Sequence, residues 1–342
     1  MLVAVYYTNR DVRLQEMPIP EIGAGEFLLK VMASGICGSD VTEWYRVPQA
    51  PRVLGHEATG IVDKLGRNVT KVKLGDRVFV SHHVPCNKCY YCLRGHHTAC
   101  ETLHKTNYYP GGLAQYIRVP KINVEQGVYQ LPGGMSFEEG TFIEPLACVV
   151  RGQRLSTLQK EDTLLIFGGG LAGILNTQLA KARGLRNIIV ADVNPYRMLQ
   201  AEKFGAHHTI DAKENIPEKL KELNGGRLAD QVIVCTGATQ ASLKALECVD
   251  KGGTILFFAV PDPTVRIPVP ITEFWRNEIT MKTSYGAAPQ DLEESLTILK
   301  QKKVNVAEMI THRLDIHDVA EGFRLVALAG ESLKVIIEPN RK

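Results

Sequence analysis

Immediately after the apolar run TLLIF at 163–167, the chain turns through Gly168-Gly169-Gly170-Leu171-Ala172-Gly173 and enters a pattern of helical periodicity over 171–183. No other feature restricts the fold as much. A glycine turn between a buried strand and a helix belongs to α/β units whose crossover helices cover both faces of a parallel sheet. The alternation continues through NIIVAD, a helix over 195–204, HHTID, a helix near 214–223, DQVIVC, a helix near 239–249 and GGTILFFAV. Short β-branched runs separated by helical segments predict a doubly wound parallel sheet.

Gly168, Gly170 and Gly173 satisfy G-x-G-x-x-G in that context. The first glycine permits the tight turn, the second lets a pyrophosphate approach the backbone, and the third allows the helix to pack closely on the strand. The helix N-terminus, with Leu171 and Ala172 in its first turn, can then face phosphates. The second strand ends in Asp192, 19 residues after Gly173. A carboxylate there accepts hydrogen bonds from ribose hydroxyls and repels a 2′-phosphate, so the expected cofactor is NAD rather than NADP. Arg197 either flanks the adenine or is a surface charge, and Thr236, just past DQVIVC, is the remaining residue expected at the cofactor.

The first 130 residues have a different grammar. Short strands at 27–33, 57–65 and 77–80 are separated by Gly- and Pro-bearing turns, which predicts a compact β-rich domain. The alternating pattern ends before the tail, which from about residue 292 carries a helix, a strand at 310–314, a second helix and the strand LKVIIEP. The tail is expected to return to the first domain. A chain of 342 residues is long enough for two domains.

Four of the eight cysteines, Cys86, Cys89, Cys92 and Cys100, fall within 15 residues, and the others are dispersed. Such spacing suits a closed tetrahedral structural zinc site rather than a disulfide framework. The bacterial ferredoxin run has three residues before its last Cys and a Pro after it, and this loop has neither. His96 and His97 lie within the loop but exceed a complete set of four ligands. A second, dispersed group comprises Cys37 in GICGSD, His56-Glu57 in GHE and Glu144 in IEP. One thiolate, one imidazole and one or two carboxylates suit a zinc that keeps a position for water or substrate. Spacing alone leaves open the plainer reading, in which Cys37 is a small buried hydrophobe and His56 a satisfied strand histidine.

Lys and Arg are interspersed with Asp and Glu, and the formal net charge is only +3, so nothing calls for nucleic acid or an anionic membrane as partner. The N-terminal MLVAVYYTNRD lacks a basic leader, and no apolar run reaches the roughly 18–20 residues of a membrane span. A reducing cytoplasmic location is expected, where clustered thiols more often hold metal than form disulfides.

Taken together, GICGSD, GHE, the four-cysteine lobe and the downstream GGGLAG turn resemble, in order and approximate spacing, the zinc-containing medium-chain alcohol dehydrogenase family over essentially the whole chain. The resemblance implies a GroES-like catalytic domain over 1–145 plus 290–342, with a zinc lobe at 82–104, interrupted by a Rossmann NAD-binding domain over 146–289. It places the active site in the cleft between them. FIEPLA at 142–147 is similar to the sorbitol (polyol) and threonine dehydrogenase branches, where Glu replaces a Cys of liver-type enzymes. Carried over, Cys37 and His56 are catalytic zinc ligands, Glu57 is a third ligand or exchanges with water, and Glu144 lies in or beside the coordination shell. Two zinc ions per chain are implied, one catalytic and one structural.

The implied reaction is reversible oxidation of a secondary alcohol of a polyol, cyclitol or sugar-derived substrate to a ketone, with NAD as acceptor. Ser39 is a candidate first step of the proton relay or a turn hydroxyl, and Asp40 is expected to orient His56. Ser284, before Tyr285, stands where several polyol dehydrogenases carry Arg. Trp44, Tyr109 and Tyr285 either line the cleft or serve as packing residues. Competing readings are an L-threonine 3-dehydrogenase and a zinc- and NAD-binding module without catalysis. Family habit implies a homodimer or homotetramer.

Overall fold

The computed structural model describes residues 1–341 and divides the chain into two compact units. The first comprises Met1–Ala147, Ala287–Lys300 and the chain from Val306 onward; the second comprises Cys148–Gly286 and Gln301–Asn305. No helix among the described residues is long and apolar enough to cross a membrane.

The first unit is built on strand Phe27–Ile36, which is apolar on both faces because it lies inside a mixed seven-stranded sheet. Its neighbours are Glu57–Leu65, Lys334–Glu338 and, along its first residues, Tyr116–Val119, all antiparallel to it. The tail therefore supplies an interior strand of the sheet formed by the N-terminal segment. Arg77–Ser81 and Val128–Gln130 extend the sheet on one side and Ile310–Asp315 on the other. A smaller sheet of Asp11–Glu16, Leu2–Thr8 and Arg52–Val53 packs its Val3, Val5, Tyr6 and Val53 into the same core.

The second unit carries six parallel strands in the order His208–Asp211, Asn187–Asp192, Thr163–Phe167, Ala229–Val234, Val249–Phe257 and Thr280–Thr283. This is the order 3-2-1-4-5-6, with the reversal at Thr163–Phe167, where α/β sheets bind ligands at the carboxyl ends of strands. The helix expected near 214–223 begins at Ile216, because Asn215 and Pro217 set its first turn. The helix after Ala238 stops at Cys248, and the last long strand starts earlier than the GGTILFF run, at Val249. Tertiary pairing with Ala229 recruits Val249 into the sheet.

Candidate active site

Strand Phe27–Ile36 delivers Cys37 to the start of a short 3-10 turn over Gly38–Val41. The turn closes on itself: Asp40 N–H donates to the Cys37 carbonyl at 3.0 Å, and Cys37 N–H donates to Asp40 Oδ2 at 3.1 Å. Gly55 brings His56 to the same place with φ of 90°, and a Cβ there would stand 2.8 Å from the Leu113 amide nitrogen. Glu57 follows as the first residue of its strand. Sulfur, imidazole and carboxylate ligand atoms of Cys37, His56 and Glu57 thus lie within 4.8 Å of one another. Glu144, buried in the first turn of helix Ile143–Ser156, lies outside that group.

Asp40 is fully buried, and its Oδ1 sits 3.3 Å from His56 Nδ1 and 3.2 Å from Arg46 Nη2. Burial works against its charge, but His56, Arg46 and the Cys37 amide together hold the carboxyl below its ordinary range. An ionised Asp40 takes the Nδ1 proton of His56 as a hydrogen bond and leaves Nε2 as the imidazole's free ligand atom. Burial alone would depress His56, yet its interactions with Asp40 and Cys37 raise it well above its ordinary value. Ser39 Oγ is within 3.3 Å of Arg46 Nη2, and Arg46 Nε donates to the Ser39 carbonyl.

Glu57 is ion-paired through Oε2 with Lys334, both side chains being completely buried, while its Oε1 is buried without a hydrogen-bond partner. A buried carboxylate oxygen without a partner is costly in protein but suited to a metal, so the donor set fits zinc with Cys37 and His56 as its other protein ligands. Gly35 makes the room: a Cβ there would lie 2.0 Å from Glu57 Oε2.

The cluster has features that sequence reasoning missed. His82 and His83 stack with ring centroids 3.8 Å apart, and the His82 ring lies 5.0 Å from that of His56. Burial and the neighbouring histidines and arginines lower both, His83 to about 4. The signal was two adjacent histidines just before the four-cysteine loop. For Lys334 it was a lysine inside the apolar strand LKVIIEP.

The lobe brings its four sulfurs together, again within 4.8 Å. Cys89 and Cys92 sulfurs are 3.5 Å apart and those of Cys86 and Cys100 3.6 Å. A tetrahedral ion with Zn–S of about 2.3 Å spaces sulfurs by roughly 3.8 Å, whereas a disulfide needs about 2.05 Å. Amide N–H groups of Cys86 and Cys89 donate to the sulfurs of Cys100 and Cys86. Against the effect of burial, such bonds bring Cys100 down to about 6, while burial pushes Cys92 up to about 12. The geometry is that of a closed four-thiolate zinc site.

In the second unit Gly168 has φ of 99°, and a Cβ on Gly173 would stand 1.8 Å from the Gly168 carbonyl oxygen. Both positions therefore require glycine. Asp192 is buried, and its carboxylate accepts from Gly169 N–H at 2.6 Å and Asn194 N–H at 2.8 Å, which fixes it across the turn. The Arg197 guanidinium stands beside Gly170, and the Thr236 side chain packs against Gly168. Leu171 opens helix Leu171–Ala182, with Ala172 and Gly173 in its first turn.

Comparison with known proteins agrees with both units. Residues 23–132 match the family model of the alcohol dehydrogenase GroES-like domain, and residues 172–301 match that of the zinc-binding dehydrogenases. The chain is 32% identical to the sorbitol dehydrogenase of Mus musculus, over 99% of this chain and 96% of that one. It is 32% identical to a probable D-xylulose reductase A of Aspergillus fumigatus, over 96% and 93%. Among solved structures, alcohol dehydrogenase TADH from Thermus sp. ATN1 superimposes with a TM-score of 0.87 at 26% identity, covering 99% of each chain. With a GroES-like β unit, a Rossmann unit, two zinc-ligand clusters and full-length relatives of this kind, the chain belongs to the zinc-binding medium-chain dehydrogenases, in the branch that contains sorbitol dehydrogenase.

Proposed function

We propose that the protein reversibly oxidises a secondary alcohol of a polyol, cyclitol or sugar-derived substrate to the ketone, with NAD as hydride acceptor. The convergence of Cys37, His56 and the unpartnered Oε1 of Glu57 carries this reading. Zinc bound there supplies Lewis acidity, which lowers the pKa of a hydroxyl by several units. The protein's own residues do the rest. Asp40 holds His56 in one tautomer, Lys334 holds the second carboxylate oxygen of Glu57, and Ser39, whose hydroxyl accepts from Arg46, takes the first step of the proton relay. Glu144 is a further carboxylate close to this machinery. In the Rossmann unit the glycine turn and the first turn of helix Leu171–Ala182 hold the pyrophosphate, with Arg197 and Thr236 flanking it. Asp192, its carboxylate positioned by two amides, takes the ribose hydroxyls and disfavours NADP.

The test is NADH formation with a panel of polyols, inositols and threonine, before and after chelation. Chelator-sensitive NAD reduction with a polyol supports the reading, whereas turnover of threonine alone or of no secondary alcohol overturns it.

The protein is further proposed to act in the cytoplasm as a homodimer or homotetramer. Supporting the assembly, Thr280–Thr283 is an open edge of the six-stranded sheet, and Ile271 and Trp275 on helix Ile271–Arg276 are 71% and 76% exposed. A monomer in light scattering at micromolar concentration would refute it.

A further inference from the structure

We propose that the substrate of the Cys37–His56–Glu57 cluster carries an oxyanion, a carboxylate or phosphate monoester, on its hydroxylated chain, and that Arg52, with Arg46 and His83, receives that group. The inference rests on the polyol dehydrogenase reading and narrows it.

The argument begins with charge. The carboxylates around the cluster are already committed: Glu57 to Lys334, Asp40 to Arg46, His56 and the Cys37 amide, and Glu43 to the Asn9 amide at 3.2 Å, while Glu144, in the first turn of its helix, is engaged as well. Against them stand two guanidinium groups and the imidazoles of His82 and His83 beside His56. Arg52 is the unbalanced member. It lies four residues before His56, on the strand Arg52–Val53 that pairs with Leu2–Thr8, and it is partly buried. Among the described residues it makes no ion pair, and its one side-chain hydrogen bond goes from Nη1 to the neutral amide oxygen of Gln49. A guanidinium has five N–H donors in a fixed fork, so most of this fork is uncommitted.

Arg52 is also placed against like charge. Burial, and after it the charge of Arg46, lowers its pKa, and His83 feels Arg46, Arg52, His56 and His104 in addition to its own burial. Gathering cationic and imidazole groups in partly desolvated space costs free energy, which Tyr45 and the Asp40 carboxylate, shared with Arg46 and His56, offset only in part at Arg52. A ligand oxyanion offsets it, and the guanidinium fork matches the two oxygens of a carboxylate or phosphate. A neutral polyol leaves the imbalance in place.

The experiment uses the zinc- and NAD-loaded enzyme and compares kcat/KM for each hexitol with that for its aldonic acid and its 6-phosphate. One anionic class is expected to exceed the neutral hexitol by about 10- to 100-fold, with the advantage shrinking as sodium chloride is raised. Which class wins identifies carboxylate or phosphate as the group received. Arg52→Gln is expected to lower the anionic-to-neutral ratio by a similar factor, and Arg52→Lys, which keeps charge without the fork, to give an intermediate ratio. Inorganic phosphate should inhibit hexitol oxidation competitively in the wild type, a readout that stands even if the variant does not fold. Preference for neutral hexitols, a ratio unmoved by Arg52→Gln at normal zinc content, or no inhibition by phosphate overturns the inference. Turnover of neutral hexitols alone leaves the polyol dehydrogenase reading standing while removing this one; no NAD reduction with any alcohol removes both.

Discussion

Lys334 and Glu57 form an ion pair in which neither side chain has any solvent exposure, joining an interior strand from the tail to the first residue of strand Glu57–Leu65. The Lys334 ammonium also lies 5.5 Å from the Phe142 ring centroid. Removing one member of such a pair leaves the other charge buried alone, at a cost of about 3–5 kcal/mol. Lys334→Met is therefore expected to destabilise the protein by that amount in denaturant unfolding. Adding Glu57→Gln should recover a large part of the loss, and a double variant no more stable than Lys334→Met would contradict the pairing argument.

Asp40 acts on zinc through His56 rather than by touching it. Asp40→Asn keeps the shape but removes the charge that holds the Nδ1 proton, and partners of ligating imidazoles typically control metal affinity by about 10- to 100-fold. Zinc titration against a competing chelator should show a loss in that range at one site only. Unchanged affinity at both sites would count against the assignment of His56.

The lobe offers a direct stoichiometric check. Cys92 is buried among the other three sulfurs, so Cys92→Ser is expected to lower bound zinc from two per chain to one and to reduce the melting temperature. Elemental analysis of the purified variant measures this. Two zinc ions retained per chain would disprove the four-thiolate site.

Asp192 both closes the glycine turn and is placed for the ribose. Asp192→Ala frees the Gly169 and Asn194 amides and removes the negative charge. The ratio of kcat/KM for NAD over NADP should fall by about tenfold or more. A constant ratio would show that discrimination lies elsewhere.

His83 gives a pH signature of defined sign. Its folded pKa, about 4, lies below the ordinary 6.5, so between those values the unfolded chain binds the extra proton. Its neutral form is fully accommodated above 6.5, and stability falls as pH drops from there toward 4. At pH 5 the loss from this residue is on the order of 2 kcal/mol. Acid also strips zinc ligands, so the comparison is with His83→Gln, whose stability at pH 5 relative to pH 7 should fall less than that of the wild type.

What the sequence revealed follows from the range of each interaction. The turn Gly168 to Gly173, its strand and Asp192 were legible because strand, turn and helix are contiguous and their constraints are steric and local. The four cysteines were legible for the same reason, as ligands in one short loop. Cys37 follows the end of one strand and His56-Glu57 open another, so only resemblance to a family linked them. Arg46, Arg52 and Lys334 were not read at all, since a charged residue on a strand or short helix looks like a solvated face until its partners are known. Long-range pairing sets even element ends: Val249 reads as the close of a helix but pairs with Ala229 in the sheet.

The placement of Lys334–Glu338 has a consequence during synthesis. Glu57 and Lys334 are separated by 277 residues, a gap of roughly 15–55 s at ordinary translation rates. Cys37, His56 and Glu57 therefore leave the ribosome long before the strand that carries Lys334. Throughout that interval the first sheet lacks an interior member and Glu57 lacks its counter-charge, while the whole second unit is made and is free to fold. The nascent chain thus holds the Glu57 carboxylate without its ammonium until this strand arrives, and the strand both completes the sheet and supplies that charge.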